Sequence, residues 1–220
     1  MAFSEGFPAI FLLACVAAAQ PPTIVQPGAP GQPTHVLTDA TVPVPRRTIF
    51  DADVEFMQGM IMHHAQAVEM VDLMAKRCHN RALLDFGKRI TISQSDEIRF
   101  MKQWLEERGK PTTMQHHMNH DMSNMKGMDM KNMQMDMLMP GMLTPEQMKA
   151  LANANGAKFD HLFLTGMIQH HGGALTMVDD LMNTPGAAQD TVLYDFATDI
   201  DNTQRAEIRI MQGMLQKEKR

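Results

Sequence analysis

Residues 53–72 read DVEFMQGMIMHHAQAVEMVD, and residues 160–179 read DHLFLTGMIQHHGGALTMVD. Laid over each other without a gap, they share Asp, Phe, Gly, Met, Ile, a His-His pair, Ala, Met, Val and Asp in register. A second pair follows: DFGKRITISQSDEIRFMKQWL at 85–105 and DFATDIDNTQRAEIRIMQGML at 195–215, sharing Asp-Phe, Ile, Gln, Glu-Ile, Arg, Met and Leu. The offset grows from 107 to 110 between the two pairs, so the second half carries three extra residues between its helices. Two copies of a helix hairpin are too few for a solenoid.

The period within each segment is helical. Phe56, Met60, His63 or His64, Ala67 and Met70 fall at three- and four-residue steps, as do Phe86, Ile90, Gln94, Glu97, Met101 and Leu105. Gly109-Lys110-Pro111 closes the first hairpin, and Asn183-Thr184-Pro185-Gly186 separates the two helices of the second. Thr144-Pro145-Glu146-Gln147 supplies a cap, a proline at the first helical position and a glutamine at the third, opening a short helix to about Asn155-Gly156. No region shows strand alternation. Each long helix has one apolar stripe, and a short connection makes paired helices antiparallel. The expected fold is all-α: a four-helix bundle of two repeated antiparallel hairpins, 48–110 and 144–220, with 111–143 crossing between them.

The crossover is unusual in composition. Residues 114–142, MQHHMNHDMSNMKGMDMKNMQMDMLMPGM, hold eleven of the 24 methionines and three of the ten histidines. The stretch has no helical or strand stripe and cannot bury a core, so it reads as flexible. Thioethers are soft donors that favour Cu(I), and they carry no proton to lose, so their affinity depends little on pH. Met114, His116, His117, Met118, His120, Met122, Met125, Met128 and Met130 are its candidate ligands. The competing readings are a low-complexity linker, or an adaptable Met-rich contact surface for a protein.

The remaining composition narrows the class. The 220 residues are 44% hydrophobic but only 5% aromatic, so the core must be built from Leu, Ile, Met, Val and Ala. A net charge of −5 and no basic stripe argue against nucleic acid. Residues 1–19 resemble a secretory signal, with an apolar run from Phe7 to Ala19 too short to span a bilayer. Ala17-Ala18-Ala19 fits a cleavage site, whereas Leu12-Leu13-Ala14-Cys15 looks like a lipobox that would tether the chain through Cys15. MAFSEG lacks the basic residues with which such signals start. Residues 20–47, rich in proline, form an extended spacer. With Cys15 removed or lipidated, Cys78 is alone. It is either an additional soft ligand beside His79 or a lone thiol near a helix end.

Met60-x-x-His63-His64 and Met167-x-x-His170-His171 are the repeated motifs that carry chemistry. Positions three and four apart share a helix face, so each methionine sits beside its histidines. Adjacent imidazoles lie about 100° apart around a helix, so one should face the bundle and the other its edge. The paired helix adds Gln94, Glu97 and Met101, or Gln204, Glu207 and Met211, as further ligands or as acceptors orienting an imidazole. Met60, Met70, Met101, Met167, Met177 and Met211 are equally explained as core packing. Adjacent imidazoles in both copies are not, because they are costly to bury unless paired or metallated. His161 and His79 have no counterpart in the other copy.

The pattern Asp-x-x-Phe-x-x-x-Met-x-x-His-His-x-x-Ala-x-x-Met, followed by Gln-x-x-Glu-Ile and Met-x-x-x-Leu, resembles the domain of unknown function 305 family. It occurs twice, over about 49–109 and 144–217. The resemblance implies a ferritin-like four-helix bundle, exported from bacteria, and in some members periplasmic copper binding and copper resistance. The expected function is therefore a non-enzymatic copper-binding protein. It would sequester or buffer Cu(I), with Ag(I) as its mimic and Cu(II) through imidazole, and exchange it with a copper efflux or chaperone protein. Two alternatives stand beside it: a metal-free helical interaction module, and a cuprous oxidase. A carboxylate-bridged di-iron oxidase is disfavoured because no Glu-x-x-His occurs.

Overall fold

The computed structural model describes residues 24–27, 31–37, 49–114 and 138–218. The apolar leader with Cys15, and residues 115–137 with His116, His117, Met118, His120, Met122, Met125, Met128 and Met130, lie outside them. The chain divides into two compact units, 1–46 and 47–220.

The first unit departs from the extended spacer expected for 20–47. Strands β1 (Ile24–Gln26) and β2 (His35–Leu37) pair antiparallel, with Val25 opposite Val36. Proline dominates the composition here, but β-branched residues between the prolines favour pleated pairing. Gly31, at φ 86°, lies in the connection.

The second unit is all-helical among its described residues. Helices α1 (Asp51–Asp72), α2 (Met74–Arg77) and α3 (Arg81–Glu107) form the first half. Helices α4 (Pro145–Asn153), α5 (Gly156–Asn183) and α6 (Thr191–Glu218) form the second. Helix starts follow local chemistry. Asn80 caps α3 by accepting from the Leu83 N–H. Thr144 and Gln147 form a reciprocal capping box on α4. Asp190 accepts from the Leu193 N–H at 2.9 Å at the start of α6. Glu107 ends α3, and Gly109 follows at φ 65°, a left-handed conformation that glycine adopts without strain.

α1 packs on α3, α5 packs on α6, and α1 also packs on α5. The two His-His helices are therefore the central pair. The apolar core is split in two. One cluster holds Met57, Met60, Met101, Trp104, Leu105, Met177 and Leu193; the other holds Met70, Leu83, Phe86, Ile90, Phe159, Phe163, Met167 and Met211. On each long helix, the residues between the two clusters are buried and polar: His63 and His64, Gln94, His170 and His171, Gln204. Asp53, at the start of α1, reaches the other half and accepts from the Ala188 N–H at 2.8 Å.

Candidate metal centre

The polar layer between the two core clusters is built by the repeat. Both imidazoles of each pair are inside: His63, His64, His170 and His171 are all 0% exposed. The expectation that one of each pair lies at the bundle edge is thus corrected. α1 and α5 each pack on two long helices, so side chains about 100° apart point at different helices rather than at a helix and solvent.

His64 and His171 face the outer helices. Their Nε2 atoms lie 2.6 Å from Glu97 Oε2 and Glu207 Oε2 respectively. Burial pushes the Glu97 carboxyl up. The hydrogen bond and charge of His64, with a second hydrogen bond from Ser93 Oγ, outweigh it and hold Glu97 below the usual range. A carboxylate only accepts, so Nε2 of His64 carries the proton.

His63 and His170 face each other across the central helix pair, with ring centroids 3.8 Å apart. His63 Nε2 donates to the Pro140 carbonyl at 3.0 Å, and His170 Nε2 donates to the His63 carbonyl at 2.9 Å. Carbonyls have no proton to give, so Nε2 is protonated in both rings. Burial, then the neighbouring His64, lowers His63 to about 3. Burial, then His63 and His171, holds His170 well below its ordinary value. Both rings are neutral, so each Nδ1 presents a lone pair.

No Nδ1 in the layer has a partner: those of His63, His64, His170 and His171 are all buried and unbonded, as are both amide atoms of Gln94 and Gln204. His63 and His170, neutral rings whose one N–H is fixed on a carbonyl and whose other nitrogen is a buried free lone pair, have the arrangement of metal ligands held by an outer partner, and His64 and His171 share the anchoring of Nε2, on a carboxylate. Among the described residues, no three His, Cys, Asp or Glu side chains converge on a common point. A site here would draw its other donors from methionine. Met60, Met101 and Met177 belong to the cluster on one side of the layer, and Met70, Met167 and Met211 to the cluster on the other.

The described ends of the crossover are pinned to α1. Gln58 Nε2 donates to the Pro111 carbonyl at 2.7 Å where the chain leaves. Where it returns, His63 holds Pro140, and Gln66 grips Leu143 through both the N–H (2.7 Å) and the carbonyl (3.0 Å). On the other side Gly173 seats the same turn: a Cβ there would lie 1.9 Å from the Pro140 oxygen. Gly141 makes the turn at φ 75°. Pro140, Gln66 and Gly173 were not among the sequence candidates. The only signal was a Gly-Gly pair inside a helix where the other copy has Ala65-Gln66.

The remaining candidates separate. Cys78 is buried, and burial, with the Asp160 hydrogen bond and charge, raises its thiol to about 11, which disfavours the thiolate a metal needs. His79 is exposed, and His161 pairs with Glu218 at 3.1 Å. Met114 and Met177 both reach Gly59. Beside the layer, an open groove of about 450 Å³ is lined by Asp96, Glu97, Asp195 and Asp199 with Phe100 and Phe196. It reaches the carboxylate that holds His64.

The fold is similar to that of solved structures. A DUF305 protein from Streptomyces coelicolor, described as secreted, is 26% identical at TM-score 0.61, with 76% of this chain and 93% of that one covered. A DUF305 fragment from Deinococcus radiodurans is 26% identical at TM-score 0.62, covering 77% and 98%. CopM in its Cu(II)-bound form is 27% identical at TM-score 0.53, covering 75% and 96%. CopM has also been solved in a Cu(I)-bound form, which at 24% identity and TM-score 0.54 supports the fold alone. No curated protein sequence matches the chain. The model of the family described as Domain of unknown function (DUF305) matches residues 53–215, and the chain belongs to that family.

Proposed function

We propose that this protein is an exported, non-enzymatic copper-binding protein that sequesters or buffers Cu(I) through His and Met donors. Its four long helices are read as a duplicated, ferritin-like four-helix bundle. The observation that carries the reading is the central layer: four buried imidazoles, each with Nε2 committed to an oxygen and Nδ1 free, between clusters rich in methionine. Imidazole nitrogen with thioether is a borderline-to-soft donor set. It suits Cu(I) and its mimic Ag(I), admits Cu(II) through imidazole, and is poor for Mg²⁺ or Ca²⁺.

The likeness to a Cu(II)-bound CopM supports copper as the cargo. The acidic groove at Glu97 gives cations an attractive approach to His64. The Met/His segment 114–142 gathers Cu(I), and a copper efflux or chaperone protein is the exchange partner. Among the described residues no helix is long and apolar enough to cross a membrane. Attachment, where present, would be through a lipid on Cys15.

The test is competition for Cu(I) against a chelator under reducing conditions. The protein is compared with a His63/His64/His170/His171→Ala variant whose helicity is checked by circular dichroism. Loss of tight equivalents with helicity retained supports metal in the layer. Unchanged binding assigns the metal to the methionine segment. If neither protein outcompetes a moderate chelator, the copper reading fails, and a metal-free interaction module replaces it.

A further inference from the structure

Gly59 and Gly166 occupy the same place in the two repeats, and each has a methionine of the opposite repeat above it. A Cβ on Gly59 would lie 3.3 Å from Cε of Met177, and a Cβ on Gly166 would lie 3.3 Å from Cε of Met70. Met70 and Met177 are themselves repeat partners, so the two notches are equivalent to this point. They differ in what fills the rest. Over Gly166 it is the Leu143 side chain, at 3.0 and 3.6 Å. Over Gly59 it is Met114, with Cε at 3.3 Å, and Met139, with Sδ at 3.4 Å.

The twin notch is an internal control. Leucine fills it well, so packing against a glycine of this repeat does not demand sulfur. On the Gly59 side the tips of three methionine side chains meet at one point, Met139 through its sulfur and Met114 and Met177 through the methyl carbons their sulfurs carry. Two of them stand at the described ends of the methionine segment, and the third is on a central helix. Met114 and Met139 are half-buried, so an ion can reach the notch without unfolding the helices.

We propose that Met114, Met139 and Met177 form an all-thioether centre for a soft monovalent cation, Cu(I) or Ag(I), on the Gly59 side of the repeat only. It rests on the copper-binding reading and gives that reading a second place, separate from the histidine layer. Three uncharged sulfur donors with no oxygen or nitrogen among them select a soft monovalent ion over Zn²⁺ or Cu(II). No donor titrates, so uptake here is insensitive to pH, unlike uptake by imidazole. Binding also joins the two ends of the crossover through the metal.

The experiment labels the methionine methyl groups of the full chain with ¹³C and titrates with Ag(I), which is diamagnetic. Resonances are assigned through single Met→Leu variants, a replacement the twin notch already accommodates. The expected result is that the Met114, Met139 and Met177 methyls move together over one equivalent while the Met70 methyl, beside Leu143, stays still. In Met139→Leu, the movement of Met114 and Met177 over that equivalent is lost. If these methyls stay fixed while Ag(I) is taken up elsewhere, or Met139→Leu changes nothing, the thioether centre is overturned and the copper reading stands. Movement of Met70 in step with the three overturns the one-sided assignment. If no methyl moves and the protein does not hold Ag(I) against a weak chelator, both readings fall together.

Discussion

His170 donates its Nε2 proton to the backbone carbonyl of His63, and the two rings lie 3.8 Å apart without a bond between them. The contact couples equivalent residues of the two repeats, but it is not reciprocal. His63 turns instead to Pro140, because the crossover lands on one repeat only. The centre of the molecule is therefore duplicated in sequence and asymmetric in bonding.

The carboxylates should tune the outer imidazoles. In Glu97→Gln the amide oxygen can still accept from His64 Nε2, but without charge, so the ring becomes a poorer donor at Nδ1. Metal affinity at that imidazole should fall about 10- to 100-fold with the fold retained, and Glu207→Gln should act likewise at His171. Chelator competition on each variant measures it. Unaltered affinity in both would show that these imidazoles do not hold the metal.

Two adjacent glycines should respond in opposite ways. A methyl on Gly173 meets the Pro140 carbonyl, whereas nothing lies within 4 Å of one on Gly172. Gly173→Ala should destabilise by about 1–3 kcal/mol and free the turn held by His63. Gly172→Ala should stabilise α5 by about 0.5–1 kcal/mol. Urea unfolding of the two variants decides it, and equal effects would rule out the seat described for Pro140.

Stability of the metal-free protein should fall on mild acidification. Unfolded, His63 and His170 take up protons near the ordinary histidine value of 6.5; folded, His63 does so only at about 3, and His170 is well below the ordinary value too. Between those limits the unfolded chain binds more protons. Stability is full above about pH 6.5 and is lost as pH drops, by roughly one kcal/mol per pH unit for each imidazole. The lowered Glu97 adds to the loss further down. Denaturant titrations from pH 7.5 to 5 should be level down to about pH 6.5 and decline below it, and a flat profile throughout would contradict the neutral burial of these rings.

Asp53 should be structural. Replacing it with Ala leaves the Ala188 N–H buried without its acceptor, at a cost of about 1–3 kcal/mol. Ala188 itself sits at φ 54°, so Ala188→Gly should stabilise by about 1 kcal/mol. Thermal melts of the two variants should shift in opposite directions.

The four long helices were legible because the repeat states each kind twice, and Thr144 and Gly109 mark helix ends by local chemistry. The orientation of the histidines was not. A helical wheel separates His63 from His64 but does not say that α1 has neighbours on both sides. The hairpin at Val25 and Val36 was hidden by the prolines around it. The seat of Pro140 on Gly173 joins residues far apart in the chain, and only an isolated Gly-Gly pair hinted at it. Met139 looked like one more methionine of the segment until Gly59 gave it a position.

The polar layer also acts as a ruler. Apolar cores tolerate sliding, since one methionine or leucine packs nearly as well one turn along. Here a one-turn slip of α3 against α1 would carry Glu97 off His64 and leave the imidazole N–H buried without its acceptor, at a cost of about 1–3 kcal/mol. A slip of α6 against α5 would do the same to Glu207 and His171. The same few residues that suit a soft ion thus set the alignment of both helix pairs before any ion arrives.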